Sequence, residues 1–588
     1  MTALSDLHPE RHEVAAQGRW PLVGTIMCAA LIVVLIQLFL LFGGNGKVLH
    51  GVLWDPDCYM HLQRAFRLVT GGWQPQGFDP RVNAPFGYAI HWTSLFDGLL
   101  AAGSHPFTWM GFDLRDALYI WGTAISPLLL ILSLAVFAAG VRPWVEGPSF
   151  LWLTVLLFTQ PQLSGAFLLG RSDHHSLILG LMLMQLAWLY AALDGRTGEG
   201  RKASAAAAVA GVAAAIQLCT TVEALVTILL VSLVIGLAWS CYARNVLKLL
   251  ATYWAGCLTA TLIWLSMTGG VTAFKPAYDH VSIVHAAVLG IGVVAIAIAG
   301  LLLRRLPRLA ALGIAGLFAA GAIAVTYPDF FLGPWPDLEP AVRAWHREIG
   351  ELQPLLPDSW FHVGALLGQF GASLIALPFA IHRLRHGETG ERFVMLTALC
   401  GFCLFGTLAL LQMRWSGEVQ AVMLLPWVLT TKHIMKTSLA LRLGGHRVPL
   451  RSGILMAALL LQIAPSALVG VGPGRVPQAN AQCDWNAATR ELAKAAPQTG
   501  IVMTELWYGP EILWRTGFSV VGAPYEISPA LADTRSFESG GSSEARQILD
   551  RRHIAYVLSC GPQPHAEAIK LDRLPFSVPS FYFYRTQN

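Results

Sequence analysis

The sequence predicts a polytopic α-helical membrane protein of about thirteen transmembrane helices, followed by a small extracytoplasmic α/β domain. Three observations predict it. Of the 588 residues, 55% are hydrophobic and only 13% are charged, about half the charged fraction of a soluble domain, and the mean hydropathy is +0.54. The hydrophobic residues gather into runs of about twenty, the length that crosses a hydrocarbon core of ~30 Å. From about Gly474 those runs stop, and short stretches such as Ile554-Ala555-Tyr556-Val557-Leu558 take over, as expected of the strands of a small domain.

In chain order the runs place spans at 21–43, 116–139, 148–166, 175–193, 203–219, 222–240, 246–268, 285–303, 308–327, 359–381, 393–412, 416–435 and 450–472. The first follows a basic tail, residues 1–20 with His8, Arg11, His12 and Arg19, and is too long for a signal-peptide core, so it reads as a retained span. With the tail in the cytoplasm, the inner loops hold Arg142, then Arg196, Arg201 and Lys202, then Arg244 and Lys248, then Arg304, Arg305 and Arg308, then Arg383, Arg385 and Arg392. The last inner segment holds Lys432, Lys436, Arg442, Arg447 and Arg451. Every inner loop is basic, as the positive-inside rule requires, and dropping any one span would invert the later loops.

The transmembrane portion is therefore 21–473, the domain 474–588 lies outside, and the protein is integral to the plasma or inner membrane. The net charge of +5 is spread over these loops, so topology accounts for it and no nucleic acid is expected as a partner. Most of the nine cysteines lie in apolar runs and read as small core residues. Cys483 and Cys560 lie in the polar C-terminal region, where an oxidising compartment would allow a disulfide.

The outer loops, 44–115, 167–175 and 328–357, collect acidic residues and histidines. If the stretch after Trp54-Asp55-Pro56 is helical, Asp57, His61 and Arg64 fall at i, i+4 and i+7 and share a face. Further along come Asp173-His174-His175, the turn Tyr278-Asp279-His280, and Asp329, Asp337, Glu339, Glu348 and Glu351. Asp57, Asp173, His175 and Glu351 offer three carboxylates and an imidazole on one side of the membrane, a donor set for Mn²⁺ or Mg²⁺, with His favouring Mn²⁺. The plain alternative for each residue is a solvated loop position, or for the histidines a helix cap. Glu223 stands at the end of an apolar run, where an ionisable group either serves a function or reaches the interface. Arg414, between two spans on the outer side, suits a lipid phosphate or an ion pair with Glu418 at i+4.

These motifs resemble those of the catalytic subunit family of oligosaccharyltransferases, above all its archaeal and bacterial single-subunit members, from the first outer loop to about residue 526. Asp57-Cys58-Tyr59 with His61 is similar to the family's first-loop motif, and Phe78-Asp79-Pro80 through Pro85-Phe86-Gly87 and Trp92-Thr93-Ser94-Leu95-Phe96-Asp97 resemble the archaeal members' first loop. Asp173-His174-His175 is similar to the second acidic motif in its Asp-x-His form, and Glu348-Ile349-Gly350-Glu351 matches the Ile and final Glu of the Thr-Ile-x-Glu motif. The resemblance implies a class C glycosyltransferase fold, metal ligation by Asp57, Asp173, His175 and Glu351, acceptor contact by Asp57 and Glu351, and donor diphosphate binding by Arg414.

One stretch departs from the family. Where its Trp-Trp-Asp-Tyr-Gly motif reads the hydroxyl of an Asn-x-Ser/Thr acceptor, this chain has Glu505-Leu506-Trp507-Tyr508-Gly509. Loss of a hydrogen-bonding partner for that hydroxyl removes most of the discrimination. Glu505, Trp507 and Tyr508 are the candidate acceptor contacts. The resulting expectation is an integral-membrane glycosyltransferase that moves a sugar or oligosaccharide from a polyprenyl-(di)phosphate-linked donor to an acceptor on the outer face. The alternatives are a transferase modifying a lipid or cell-surface glycan rather than protein, and a lipid or sugar transporter or flippase. Transporters place ionisable groups near the midplane in broken helices, whereas here they lie mostly in outer loops.

Overall fold

The computed structural model describes all residues except 1–19, 72–76, 91, 194–199, 242–245, 269–273, 336–338, 358–359, 437–439, 444–445, 450, 470–482, 497, 526 and 588. The N-terminal tail, Arg196, Arg244 and Asp337 of the sequence reading lie outside the described residues.

The helical portion opens with α1 (Leu22–Gly43), an amphipathic α2 (Pro56–Thr70), the hairpin β1 (Phe78–Asp79) and β2 (Tyr88–Ala89), and α3 (Leu95–Trp109). There follow α4 (Leu114–Val141), α5 (Pro148–Leu157), α6 (Pro161–Gly165), α7 (His175–Leu193), α8 (Arg201–Thr220), α9 (Ala224–Cys241), α10 (Leu247–Thr268), α11 (Ile283–Leu302) and α12 (Arg308–Thr326). After the short α13 (Pro340–His346) come α14 (Trp360–His386), α15 (Thr389–Leu411), α16 (Ser416–Lys436), the hairpin β3 (Ala440–Leu443) and β4 (His446–Pro449), and α17 (Arg451–Val469). Among the described residues, nine helices are long and apolar enough to cross a membrane, and α5, α9 and α17 carry shorter apolar stretches.

Each apolar run of the sequence falls on helix, and one of them is broken. The run 148–166 stops at Leu157 and restarts at Pro161. Pro161 lacks an N–H and drives Gln160 out of the helical region, and Gln160 sits at φ −95°, ψ 103°. The Gln420 side-chain oxygen accepts the Gln162 and Leu163 N–H groups at 3.1 and 2.9 Å, satisfying donors that a helix start leaves open. Elsewhere small residues set the spacing. A Cβ on Gly211 of α8 would meet the Tyr253 carbonyl oxygen of α10 at 2.0 Å, and one on Gly256 would meet the Ala208 oxygen at 2.6 Å, so these backbones touch as small-residue interfaces in membranes allow.

The C-terminal part contains α18 (Trp485–Ala495), β5 (Ile501–Met503), α19 (Gly509–Arg515), β6 (Ser519–Val520), α20 (Ser528–Ser539), α21 (Ser542–Arg552), β7 (Ile554–Cys560), β8 (Leu571–Leu574) and β9 (Phe581–Thr586). The sheet order is β6-β5-β7-β9-β8, parallel among β5, β6 and β7 and antiparallel through β9. Cys483 and Cys560 form a disulfide, Cα atoms 6.1 Å apart.

This sheet is seated on the first loop. Met60, Val82 and Ile90 share a core with Trp485, Val502, Tyr525 and Phe583. The end of α19 leaves carbonyls open, and guanidinium groups from the first loop and α4 fill them. Arg81 donates to the oxygens of Leu513, Thr516 and Phe518 at 2.8 to 3.0 Å, and Arg115 donates to that of Trp514. In return Arg515 donates to the Gly51 carbonyl and the Tyr59 hydroxyl. Arg552, fully buried, donates to Asn83 Oδ1 and Ala84 O at 3.0 and 2.9 Å and pairs with Asp533.

Candidate active site

The N-terminus of α2 fixes Asp57. Asp55 caps the helix by accepting the Cys58 N–H at 3.0 Å, and Pro56 occupies the first helical position, where its missing N–H costs nothing. Asp57 therefore sits in the first turn, partly buried. Its carboxyl is raised well above the usual range, first by burial and then by the charges of Asp55, Asp173 and Glu351, against which Arg171 acts. Glu351, on the turn Gly350–Leu352, is raised as well, by burial first, with Arg171 opposing and Asp173 and Asp55 adding to the rise. Carboxylates from three loops thus act on one another's charges.

The middle loop is held from below. Gly170 adopts φ +84°, and a Cβ there would meet Val48 Cγ2 at 2.6 Å, so the close turn needs glycine. Its N–H donates to the Thr123 carbonyl at 2.9 Å, and Ser172, fully buried, donates to the Cys58 carbonyl at 3.3 Å. Asp173 follows at 1% exposure. Burial alone would raise its carboxyl, but His175, His174 and Arg171 outweigh burial and hold it well below the usual range. Asp173 Oδ2 lies 3.3 Å from Arg171 Nη2 and 3.9 Å from His175 Nε2. Asp173 Oδ1 is buried and meets no hydrogen-bond partner of full geometry among the described residues, its nearest polar neighbour being His174 Nδ1 at 2.9 Å. Crowded carboxylates fit a bound divalent cation, which relieves their mutual repulsion.

His61, one turn along α2 from Asp57, is 1% exposed and anchors a second group. Its Nδ1 lies 2.7 Å from Asp97 Oδ1, and its Nε2 lies 3.0 Å from His174 Nδ1. Arg64 Nε donates to Asp97 Oδ2 at 2.7 Å, and Arg64 Nη2 donates to the carbonyls of Trp92 and Thr93 at 2.8 and 3.2 Å. The Trp92 ring stacks on His61, centroids 5.0 Å apart. Burial lowers the His61 imidazole against the pull of Asp97. His61, Asp173 and His174 offer ligand atoms within 4.8 Å of one another, a group that could hold a metal ion. Sequence reading did not assign His174 or Asp97. Both lie inside motifs it quoted, and an Asp at the start of the apolar Leu95–Trp109 stretch was the available signal.

Arg414 lies on the turn Met413–Trp415 and pairs with Glu223, a partner distant in sequence, rather than with Glu418 at i+4. Glu223 is thereby placed in the same cluster. His175, Gln217, Glu223, Arg414, Trp415 and Glu418 line a small, partly open pocket. The Met413 N–H donates to the Gln353 carbonyl at 2.8 Å, which ties the Arg414 turn to the Glu351 turn.

The candidate acceptor residues sit one layer out. Trp507 faces Trp345 of α13 at 6.0 Å between centroids, and with Leu506 and Ile349 it packs on Val342, Trp345 and Leu531. Glu348 pairs with Arg535 at 2.7 Å, so the segment leading to Glu351 rests on the C-terminal domain. Tyr508 stacks on Trp485 at 3.8 Å, which places its ring in the domain core. Glu505 precedes them on the same turn, its carbonyl accepting the Tyr508 N–H at 3.1 Å. In the remaining outer turn Asp279 Oδ1 lies 2.7 Å from His280 Nδ1.

No family model matches the chain. It is 26% identical over 157 residues to dolichyl-phosphooligosaccharide-protein glycotransferase 1 of Archaeoglobus fulgidus, a match covering 26% of this chain and 25% of that protein. It is also 26% identical over 162 residues to glycotransferase 2 of the same organism, 27% of this chain and 26% of that protein. The matched region thus spans about a quarter of the length of either relative. In structure it is similar to the archaeal oligosaccharyltransferase AglB from A. fulgidus in complex with an inhibitory peptide and a dolichol-phosphate. The TM-score is 0.68 at 16% identity, over 93% of this chain and 70% of that one. An A. fulgidus oligosaccharyltransferase crystallised with Zn and sulfate gives a TM-score of 0.64 at 15% identity, over 91% of this chain and 67% of that one. The chain has the fold of the archaeal oligosaccharyltransferases and over about a quarter of its length resembles two dolichyl-phosphooligosaccharide-protein glycotransferases in sequence.

Proposed function

We propose that the chain is an integral-membrane glycosyltransferase that transfers a sugar or oligosaccharide from a polyprenyl-(di)phosphate-linked donor to an acceptor on the outer face. What supports this reading is that Asp57, Asp173 and Glu351, from three separate loops, lie near enough to act on one another's charges, while Asp173 lies 3.9 Å from His175, which lines a pocket with Arg414. The relatives named for dolichyl-phosphooligosaccharide chemistry, and the AglB structure holding a dolichol-phosphate, support the donor class. In this reading residues 1–20 form a cytoplasmic tail, 21–473 span the membrane thirteen times, and 474–588 lie outside.

Asp57, Asp173, His175 and Glu351 would hold Mn²⁺ or Mg²⁺, the imidazole favouring Mn²⁺. Bound there, the ion would supply positive charge to offset that of the leaving phosphate. Arg414 binds that phosphate, exchanging Glu223 for it, and a fork of donors matches its oxygens. Asp57 or Glu351 accepts the proton of the acceptor nucleophile as the nucleophile bonds to the anomeric carbon and the carbon–phosphate oxygen bond breaks. This direct displacement inverts the anomeric centre. Glu505-Leu506-Trp507 in place of Trp-Trp-Asp favours an acceptor other than the usual protein sequon, so a lipid or glycan acceptor stands as the second reading.

The test is transfer from a labelled lipid-linked sugar by the purified protein, with and without EDTA. Chelation abolishes transfer and added Mn²⁺ restores it; turnover untouched by EDTA would remove the ion from the mechanism. Asp57→Ala and Glu351→Ala each express in the membrane and lose transfer, and wild-type activity in both would dismantle the site.

A further inference from the structure

The transfer reading leaves unused a group formed by His61, His174 and Asp173 Oδ1. His61 Nε2 is 3.0 Å from His174 Nδ1, which is 2.9 Å from Asp173 Oδ1, and all three lie within 4.8 Å of one another. Two ligands at right angles, with metal bonds of about 2.1 Å, stand about 3.0 Å apart, whereas tetrahedral ligands stand about 3.4 Å apart. Both measured edges match the corner of an octahedron.

The proton inventory favours the same use. Asp97 accepts from Arg64 Nε and faces His61 Nδ1, both at 2.7 Å. An ionised carboxylate only accepts, so Nδ1 carries the proton and Nε2 turns its lone pair toward His174. A carboxylate behind an imidazole whose far nitrogen offers a lone pair is the arrangement found behind metal-bound histidines. Trp92 stacks on the ring and His61 is 1% exposed, so the lone pair is aimed. Opposite it, Asp173 is 1% exposed and its Oδ1 has no hydrogen-bond partner of full geometry among the described residues. Its Oδ2 faces the other way, toward Arg171 and His175. One carboxylate thus presents an oxygen to each of two sites.

We propose that His61 Nε2, His174 Nδ1 and Asp173 Oδ1 hold a second divalent ion, with Asp173 bridging it to the ion of the transfer site; the bridging rests on the transferase reading above. Two imidazoles and one carboxylate suit Mn²⁺, Co²⁺ or Zn²⁺ better than Mg²⁺. Asp97 is a positioning residue for this site.

The full chain in detergent, stripped with EDTA and reloaded with Co²⁺, tests it by metal count and visible absorption. The wild type binds two Co²⁺ per chain. His174→Ala and His61→Gln each bind one and lose the same absorption bands, while Glu351→Ala loses the other ion and keeps those bands. His61 is buried, so His61→Gln is counted only if it elutes and melts as the wild type does; His174, 18% exposed at its side chain, carries the test alone otherwise. One Co²⁺ in the wild type, or two retained in His174→Ala, overturns the second site. A single ion lost in Glu351→Ala but not in His174→Ala leaves the transferase reading standing without this proposal. Full transfer by Glu351→Ala, with ion loss in His174→Ala, overturns the transferase reading and leaves the His61 site.

Discussion

Replacing Asp97 by alanine tests how firmly α2 and α3 are locked beneath the site. Asp97 is 1% exposed, with Arg64 Nε and His61 Nδ1 each 2.7 Å from its oxygens. Removing it strands a guanidinium that is 7% exposed, and removing one partner of a buried pair costs about 3–5 kcal/mol. Arg64 keeps its bonds to the Trp92 and Thr93 carbonyls, which hold part of its charge satisfied, so the lower end, about 3 kcal/mol, is expected. Asp97→Asn keeps an acceptor oxygen but no charge and should cost roughly half as much, since bonds to charged groups are about twice as strong as neutral ones. Hydrogen exchange of the α2 amides reads the local opening energy, and 3 kcal/mol corresponds to exchange faster by about 100- to 200-fold. Exchange within about fivefold of wild type in Asp97→Ala would refute the reasoning, as would equal effects of Ala and Asn.

Three further outcomes follow from the geometry. Arg414→Ala should raise the KM for the lipid donor by about 10- to 100-fold, the loss of one charge-assisted bond, and Arg414→Lys should restore only part of it because an ammonium lacks the planar fork; steady-state kinetics with labelled donor measures both. Gly211→Ala pushes a methyl into the Tyr253 carbonyl of α10 and should destabilise by about 1–3 kcal/mol, with Gly211→Leu failing to accumulate; melting temperature and membrane yield report it. Cys483→Ser should lower the stability of the C-terminal domain by about 2–4 kcal/mol, since the bridge closes a separation of 77 residues, and limited proteolysis with and without reductant compares the two states.

The helices were legible because a hydrocarbon solvent demands long apolar runs, and a window of residues is enough to see one. The break at Gln160 was legible too, in Pro161, yet hydropathy averages over a single proline. The four candidate ligands could be proposed from residue type and loop side, but no local pattern ties the Glu351 turn to the rest, and its bond from the Met413 N–H to the Gln353 carbonyl joins residues far apart in sequence. Local spacing misled for Arg414, whose i+4 neighbour Glu418 is passed over for Glu223. Asp97 and His174 escaped because their importance lies in the company of His61, and pairings across 36 and 113 residues leave no periodic trace.

The clasp of Arg81 on the carbonyls after Leu513 has a consequence in time. Its partners are separated by 432 residues, and at about 5–20 residues per second of synthesis the later one emerges roughly 20–90 s after the earlier. Throughout that interval the floor of the site, α2 and its hairpin, stands with Met60, Val82 and Ile90 uncovered by the C-terminal sheet. The core beneath α2 is thus completed only when the last segment docks, and until then the uncovered patch offers a chaperone an apolar surface to bind.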